Sequence, residues 1–480
     1  MRLLPSCRPA SGQRSSSWGA FLSVRLRSGL VAMAGALAIS GAITGMSAQP
    51  ACAQEVLRDA ETEALFRDMS APIIKAAGLD PHNVDIILLN DGDINAFVAG
   101  GQAVYVQSGL IGAADNINQV QGVVAHELGH ITGGHVISTA GSRPATGITL
   151  LSLLLGGLAA AAGSPEAGMG VFMAGQQAAM GSYLAFSRAQ ESTADAAGAQ
   201  YLSKAGISGR GSLDFFKKLQ NMEFRYGFTR NADSEFYSTH PMTADRLATL
   251  QDTYEKDPAW NTPIDPDLQA RFLRVKAKLY GYLADPQATL AAYPDYLNDP
   301  PAHYARAYAY HKEALMDKAL AEVDAMLKQL PDDPYALELK GQVLLESGQP
   351  QAAIAPLRRA TNLTGNNPLI ATTFSHALLA TEDPANFAEA ERVLKTSVAR
   401  DRENPFAWYQ LGMVYEAEGD TPRARLASAE QQLMQMQLPE AARNAQAAED
   451  TLPKGSADWL RAQDIAMSAQ SQMERQRKKK

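Results

Sequence analysis

Apolar positions recur at helical spacing between Glu55 and Ala77, at Val56, Leu57, Leu65, Phe66, Met69, Ile73 and Ile74, and Gly78 stops the pattern. This predicts an amino-terminal helix. The period then shortens: Val84–Leu89, Ala96–Val98 and Val104–Val106 are short β-forming runs separated by Asn90-Asp91-Gly92-Asp93 and by Gly100-Gly101. They predict three strands of a small antiparallel sheet. Gln119 to Gly133 returns to helical spacing, with Val120, Val123 and Val124 on the buried side. From Pro144 to Pro165 no residue is charged, and residues 148–162 are almost wholly apolar. A helix of that length spans about 22 Å, short of the roughly 30 Å hydrocarbon core of a bilayer. With a second apolar helix at about 167–186, after the turn Gly163-Ser164-Pro165, it predicts a hairpin over 148–186 that does not span a membrane alone. A buried core pair, a contact with a membrane surface and a lid over a cleft all fit that hairpin. Helices over Ser187–Leu202 and Gly211–Tyr226 follow.

From about residue 300 the chain becomes a series of alanine-rich helices punctuated by Pro331/Pro334, Pro368 and Pro405. Pro334 to Pro368 is 34 residues and Pro368 to Pro405 is 37, the period of tetratricopeptide helix pairs. The clearest copy carries Trp408, Leu411, Gly412, Tyr415 and Ala424; a second carries Gly341, Leu344, Ala353, Leu357 and Ala360; a third carries Tyr310, Ala319 and Pro331. A degenerate unit around Ala441, Pro453 and Trp459 fits a cap. Such stacks present surfaces suited to peptides and partner proteins. The fold class expected is therefore α+β and predominantly α: a catalytic domain with a small antiparallel sheet over 54–257, a linker and irregular helical unit over 258–300, a repeat α-solenoid over 301–473, and a solvated basic tail over 474–480.

Composition adds a compartment. The chain is 46% hydrophobic and 20% charged, ordinary for folded protein. Its first 53 residues instead carry five arginines and no acid, then an apolar segment from about Gly29 to Ile43 and the small-x-small site Ala51-Cys52-Ala53. That is the pattern of a secretory signal peptide. Its removal would take the net charge from −8 to −13 and remove both cysteines, Cys7 and Cys52. The mature chain would then have only histidines and carboxylates for a metal. An acidic exported protein is a poor partner for nucleic acid.

His126-Glu127-Leu128-Gly129-His130 carries the chemistry. Residues i and i+4 of a helix share a face, so His126 and His130 can reach one Zn²⁺. Glu127 then lies beside the metal, placed as the general base toward water that the metal acidifies. Glu191 and Asp195, again four apart, sit in an otherwise apolar helix. Glu191 is the expected third ligand and Asp195 the acceptor of a ligand histidine's outward N–H. His135 does not continue the motif: a third histidine of the metzincin type belongs at 136, which is Val, so His135 is expected to be structural. His240 precedes Pro241 in a loop, and taken alone reads as a surface residue. His303, His311 and His376 read as helix-surface or packing residues of the repeats rather than as ligands.

The segments H-E-L-G-H at 126–130, Ser187-Arg188-x2-Glu191-x3-Asp195, Ala205-Gly206 and Thr239-His240-Pro241-x4-Arg246 resemble the HtpX-like and CAAX-prenyl-protease-like zinc peptidases. The resemblance implies one Zn²⁺ per chain, held by His126, His130 and Glu191, with Glu127 as general base. It implies that His240 can act as a fourth, reversible ligand that keeps the enzyme latent. Arg246 would anchor the loop behind His240 or stabilise the developing oxyanion. The strand Ala96-Phe97-Val98 would pair with an extended substrate. A periplasmic peptidase is implied, one that degrades unfolded or misassembled outer-membrane proteins and works with the β-barrel assembly machinery and lipopolysaccharide-transport proteins through its repeats. The competing expectation is a repeat-based chaperone or adaptor whose metal is structural. Cleavage within a bilayer would require spanning helices that the sequence lacks.

Overall fold

The computed structural model describes residues 2–3, 55–135, 165–226, 240 and 243–479. Most of the expected signal peptide, the first arm of the expected hairpin, and Ser238, Thr239 and Pro241 lie outside the described residues. The sheet begins with β1, Arg2–Leu3, and β2, Glu55–Arg58. Residues 55–58, expected to open the first helix, are strand because Asp59 is extended and its side chain accepts from Thr62 N–H, so that α1 starts at Ala60 and runs to Ala76.

Strands β3 (Asp85–Asn90), β4 (Ala96–Ala99) and β5 (Ala103–Gln107) complete a sheet of order β1-β2-β3-β5-β4. The sheet is mixed, which corrects the antiparallel expectation: β3 and β5 run parallel, Asp85 opposite Ala103 through Leu89 opposite Gln107. The reason lies in the connections. The turn at Gly100 and Gly101, with φ of 65° and 104°, folds β4 and β5 into a tight antiparallel hairpin, and the longer loop after Asn90 lets β5 rather than β4 lie beside β3. This leaves β4 at the outer edge of the described sheet.

Helix α2 (Ser108–Ala113) leads into α3 (Ile117–Thr132), whose Asn116 side chain accepts from Gln119 N–H. Every residue of α3 from Ile117 to His130 is buried, not only the valine stripe. It is enclosed by α1, the sheet, and the helices α4 (Pro165–Lys204) and α5 (Arg210–Tyr226). Where the sequence suggested two helices over 167–202, α4 is continuous for 40 residues. No described helix is long and apolar enough to cross a membrane.

After α6 (Ala244–Glu255) the segment expected as linker and irregular unit forms a 3₁₀ turn, then α7 (Pro266–Leu283) and α8 (Pro286–Ala292). Phe272, Val275 and Leu279 of α7 are part of the same hydrophobic core as Phe66, Met69, Val123 and Phe216. Helix pairs follow in series: Pro300–Lys312 with Met316–Gln329, Pro334–Glu346 with Pro350–Leu363, Pro368–Leu379 with Phe387–Arg400, Pro405–Ala417 with Thr421–Met434, and Leu438–Glu449 with Ala457–Lys479. The first helices of four pairs start with proline at N1 behind a capping Asp299, Asp333, Asn367 or Asn404, which explains the proline period. The two halves meet at buried charges. Lys278 Nζ lies 2.6 Å from Asp59, Arg274 bridges Glu61 at 3.2 Å and Asp333 at 2.9 Å, and Tyr304 donates to Glu61 at 2.9 Å.

Candidate metal centre

Two helices that nearly touch build the site. A Cβ at Gly129 would stand 2.6 Å from Ala194 O, and one at Gly198 would stand 3.0 Å from Ala125 O. Glycine at these two positions lets α3 and α4 pack backbone to backbone. Glu191 and Asp195 flank Ala194 and so are held over the histidines. One turn beyond, Thr132 Oγ1 and Tyr201 Oη lie 2.8 Å apart and pin the crossing.

The structure brings His126, His130, Glu191 and His240 together, all buried, with donor atoms within 4.8 Å of one another. His126 Nε2 lies 3.1 Å from His130 Nε2, 3.3 Å from His240 Nδ1 and 3.4 Å from Glu191 Oε2. Glu191 Oε1 lies 3.1 Å from His240 Nδ1 and 3.4 Å from His130 Nε2. Donors about 2.0–2.1 Å from one tetrahedral ion stand about 3.3 Å apart, so this set fits zinc. Glu127 is 1% exposed and neither carboxylate oxygen has a hydrogen-bond partner. A carboxylate held in that state is matched to a ligand or reactant rather than to the fold.

The surroundings are built for positive charge. His126 Nδ1 lies 2.9 Å from Asp195 Oδ1, and Phe216 meets the same ring edge to face at 5.9 Å. Burial disfavours a charged imidazole, yet the hydrogen-bonding carboxylates of Asp195 and Glu191 outweigh it and raise His126 to about 10. Burial likewise works against the Glu191 and Asp195 carboxylates, and their hydrogen-bonding partners still hold both below the usual range. Arg246 forks onto Asp195, Nε to Oδ2 at 2.7 Å and Nη2 to Oδ1 at 2.8 Å, and its Nη1 lies 3.0 Å from Glu191 Oε2. It thus touches one donor residue, Glu191, and the carboxylate of Asp195 behind another, His126.

Residues 57–254 match the sequence profile of peptidase family M48. The chain carries an M48 peptidase domain. By class it is a metalloendopeptidase, and the four-donor cluster lies within that domain. The chain is 25% identical to the β-barrel assembly-enhancing protease of Escherichia coli K12 over 355 residues, 72% of this chain and 69% of that one. A relative from Vibrio cholerae is 25% identical over 289 residues, and the match spans 59% of each chain. The metalloprotease LoiP of Escherichia coli is 30% identical over 168 residues, 34% of this chain and 60% of the other. Among solved structures, the tetratricopeptide-repeat protein YrrB matches 37% of this chain and 92% of its own at 20% identity and a TM-score of 0.31.

The M48 domain holds further residues near the centre that sequence reasoning set aside. His135 lies on the outward nitrogen of His130, Nδ1 to Nδ1 at 2.9 Å. The signal that could have found it is Gly133-Gly134, whose second glycine takes φ of 65° and turns the chain back on its last helical turn. Ala96, Phe97 and Val98 form β4, next to α3 at the sheet edge, with Phe97 stacked on Tyr105 at 5.2 Å.

Proposed function

We propose that this chain is a zinc endopeptidase of the bacterial periplasm, resting in a latent state, that removes misfolded or misassembled outer-membrane proteins. The observation that carries the latent reading is His240 standing among the donors as their fourth member. His126, His130 and Glu191 would hold the zinc and His240 would close its shell. Bound zinc supplies Lewis acidity toward a carbonyl oxygen and toward water. Glu127, desolvated and without a hydrogen-bond partner, takes the proton of the attacking water and delivers it to the leaving amine. Asp195, whose Oδ1 lies 2.9 Å from the outward Nδ1 of His126, is placed to orient that ring, and Arg246 fixes both Asp195 and Glu191, so that the guanidinium acts as a positioning group and not at the oxyanion. The edge strand β4 takes an extended substrate beside α3. The helix pairs bind protein, and the E. coli relative's name supports a role at β-barrel assembly. Components of the assembly machinery or of lipopolysaccharide transport are the partners this reading names, and the amino-terminal pattern supports export.

Glu127→Gln tests the chemistry. Zinc content should stay at that of the wild type while cleavage of an unfolded protein falls about 10²-fold or more; undiminished cleavage would sink the mechanism.

The four-donor shell also favours a second reading, a repeat-based chaperone or adaptor with a structural zinc, since closed shells are the structural kind. Replacement of His240 separates the two.

A further inference from the structure

The two paired histidines of α3 are held differently. His126 turns its Nδ1 to a carboxylate, Asp195, whereas His130 turns its Nδ1 to a neutral side chain, the imidazole of His135, 2.9 Å away. We propose that His135 is a positioning residue of the metal site, which accepts the outward N–H of His130 and fixes its tautomer and tilt. This rests on the zinc reading above and adds a residue to it.

The chain is shaped to place that ring. Helix α3 stops at Thr132, Gly134 takes φ of 65°, Gly134 N–H donates to Ile131 O at 3.1 Å and His135 N–H donates to His130 O at 3.1 Å. This pair of bonds is a Schellman ending, in which the residue after the left-handed one returns to the last turn. His135 is therefore folded back over His130, where a continued helix would have carried it to another face. The neighbouring glycine has a different purpose. Gly133 has an ordinary φ of −72°, but a Cβ there would stand 2.6 Å from His135 Nε2 and 2.8 Å from its Cε1. One glycine makes the turn and the other leaves room for the imidazole.

Hydrogen bonding runs in one direction from this arrangement. With Nε2 of His130 facing the donor cluster, its proton sits on Nδ1 and is donated to His135 Nδ1. Neutral His135 then carries its proton on Nε2, which points at Thr193 Oγ1, 3.3 Å away. The Thr193 hydroxyl donates to Gln190 O at 2.8 Å, with Ala189 O at 3.1 Å, one turn back on α4. The chain of donors ends on backbone of the same helix that carries Glu191. His135 and Thr193 so tie the second histidine to the third ligand's helix.

Zinc affinity, measured by competition with a chromogenic chelator on the full chain, tests the assignment. His135→Ala should weaken zinc binding 10- to 100-fold, the usual loss when such an outer partner goes, and His135→Gln, whose amide oxygen can accept the same proton, should recover part of it. Thr193→Val should weaken binding less, and Thr193→Ser should restore it. His126→Ala serves as the reference for the underlying reading: it should abolish binding. If His126→Ala loses zinc while His135→Ala keeps wild-type affinity, the role of His135 is overturned and the metal site stands. If the wild-type chain takes up no zinc, the metal reading itself fails. Should His135→Ala not fold, as judged by its circular dichroism melt, the Thr193 pair decides: equal affinity of Val and Ser variants overturns the relay.

Discussion

Nε2 of His240 lies 3.7 Å from Oε1 of Glu127, while Nδ1 of the same ring lies 3.1 Å from both oxygens of Glu191. One imidazole thus faces the donor cluster on one side and the Glu127 carboxylate on the other. A substrate carbonyl and an attacking water would need the space it fills. His240→Ala should therefore raise cleavage of an unfolded protein several-fold, at unchanged zinc stoichiometry and with a modest loss of affinity. Loss of zinc and of melting temperature without gain in cleavage would support the structural-zinc reading instead.

The glycine inside H-E-L-G-H sets the distance between the two ligand-bearing helices. Because a Cβ at 129 would stand 2.6 Å from Ala194 O and 2.8 Å from Ala194 Cα, Gly129→Ala must push α4 away from α3. Such overpacking costs about 1–3 kcal/mol. Glu191 moves with α4, so zinc affinity should fall along with stability. A variant that melts lower yet binds zinc as tightly as the wild type would show that Glu191 is not positioned by this contact.

The buried charges that join the two halves give a separate stability test. Lys278 is 1% exposed and stands between Asp59 and Glu61. Lys278→Met leaves two buried carboxylates without it and should cost about 3–5 kcal/mol near neutral pH. Burial alone would raise Asp59, but the charge and hydrogen bond of Lys278 outweigh it and hold Asp59 below the usual range. A lowered carboxylate stabilises above its unfolded value of about 4 and loses that contribution as pH falls toward its folded value. The deficit of Lys278→Met, read as the difference in urea midpoint, should accordingly shrink from pH 7 to below pH 4. A deficit that stays constant over that range would remove the ion pair as its cause.

Much of the centre was legible because it obeys helical spacing. His126 and His130, and again Glu191 and Asp195, share one helical face each; an acidic pair four apart more often marks a solvated face, and the two-histidine motif still short of a ligand is what singles out Glu191. His135 was hidden for a geometric reason: the metzincin spacing puts a third histidine at 136, and the spacing carries no sign that the left-handed Gly134 folds residue 135 back over His130. The sheet was misread for a related one. Strand patterns mark where strands are, whereas the loop after Asn90 decides that β5 inserts beside β3. The periodic pattern starts helix α1 five residues early, at Glu55 rather than Ala60, because Val56 and Leu57 fit its period, although Asp59 caps the true start.

The edge strand yields a test that spares the metal. Gln107 N–H donates to Asn95 O at 3.0 Å, which fixes the phase of the β4–β5 ladder: residues 95, 97 and 99 turn their backbone groups toward β5, and Ala96 and Val98 turn theirs outward. An extended substrate lying along β4 would bond to the N–H of Val98. Val98→Pro removes that donor without taking a bond from the ladder, and proline is tolerated on an edge strand in this phase. Zinc content and melting temperature should stay near wild type. Cleavage of an unfolded protein should drop about tenfold, since losing one backbone hydrogen bond of about 1 to 1.5 kcal/mol costs that much in transition-state binding. If Val98→Pro cleaves as the wild type does while Glu127→Gln does not, the substrate does not pair with β4 and the cleft must be entered from another side.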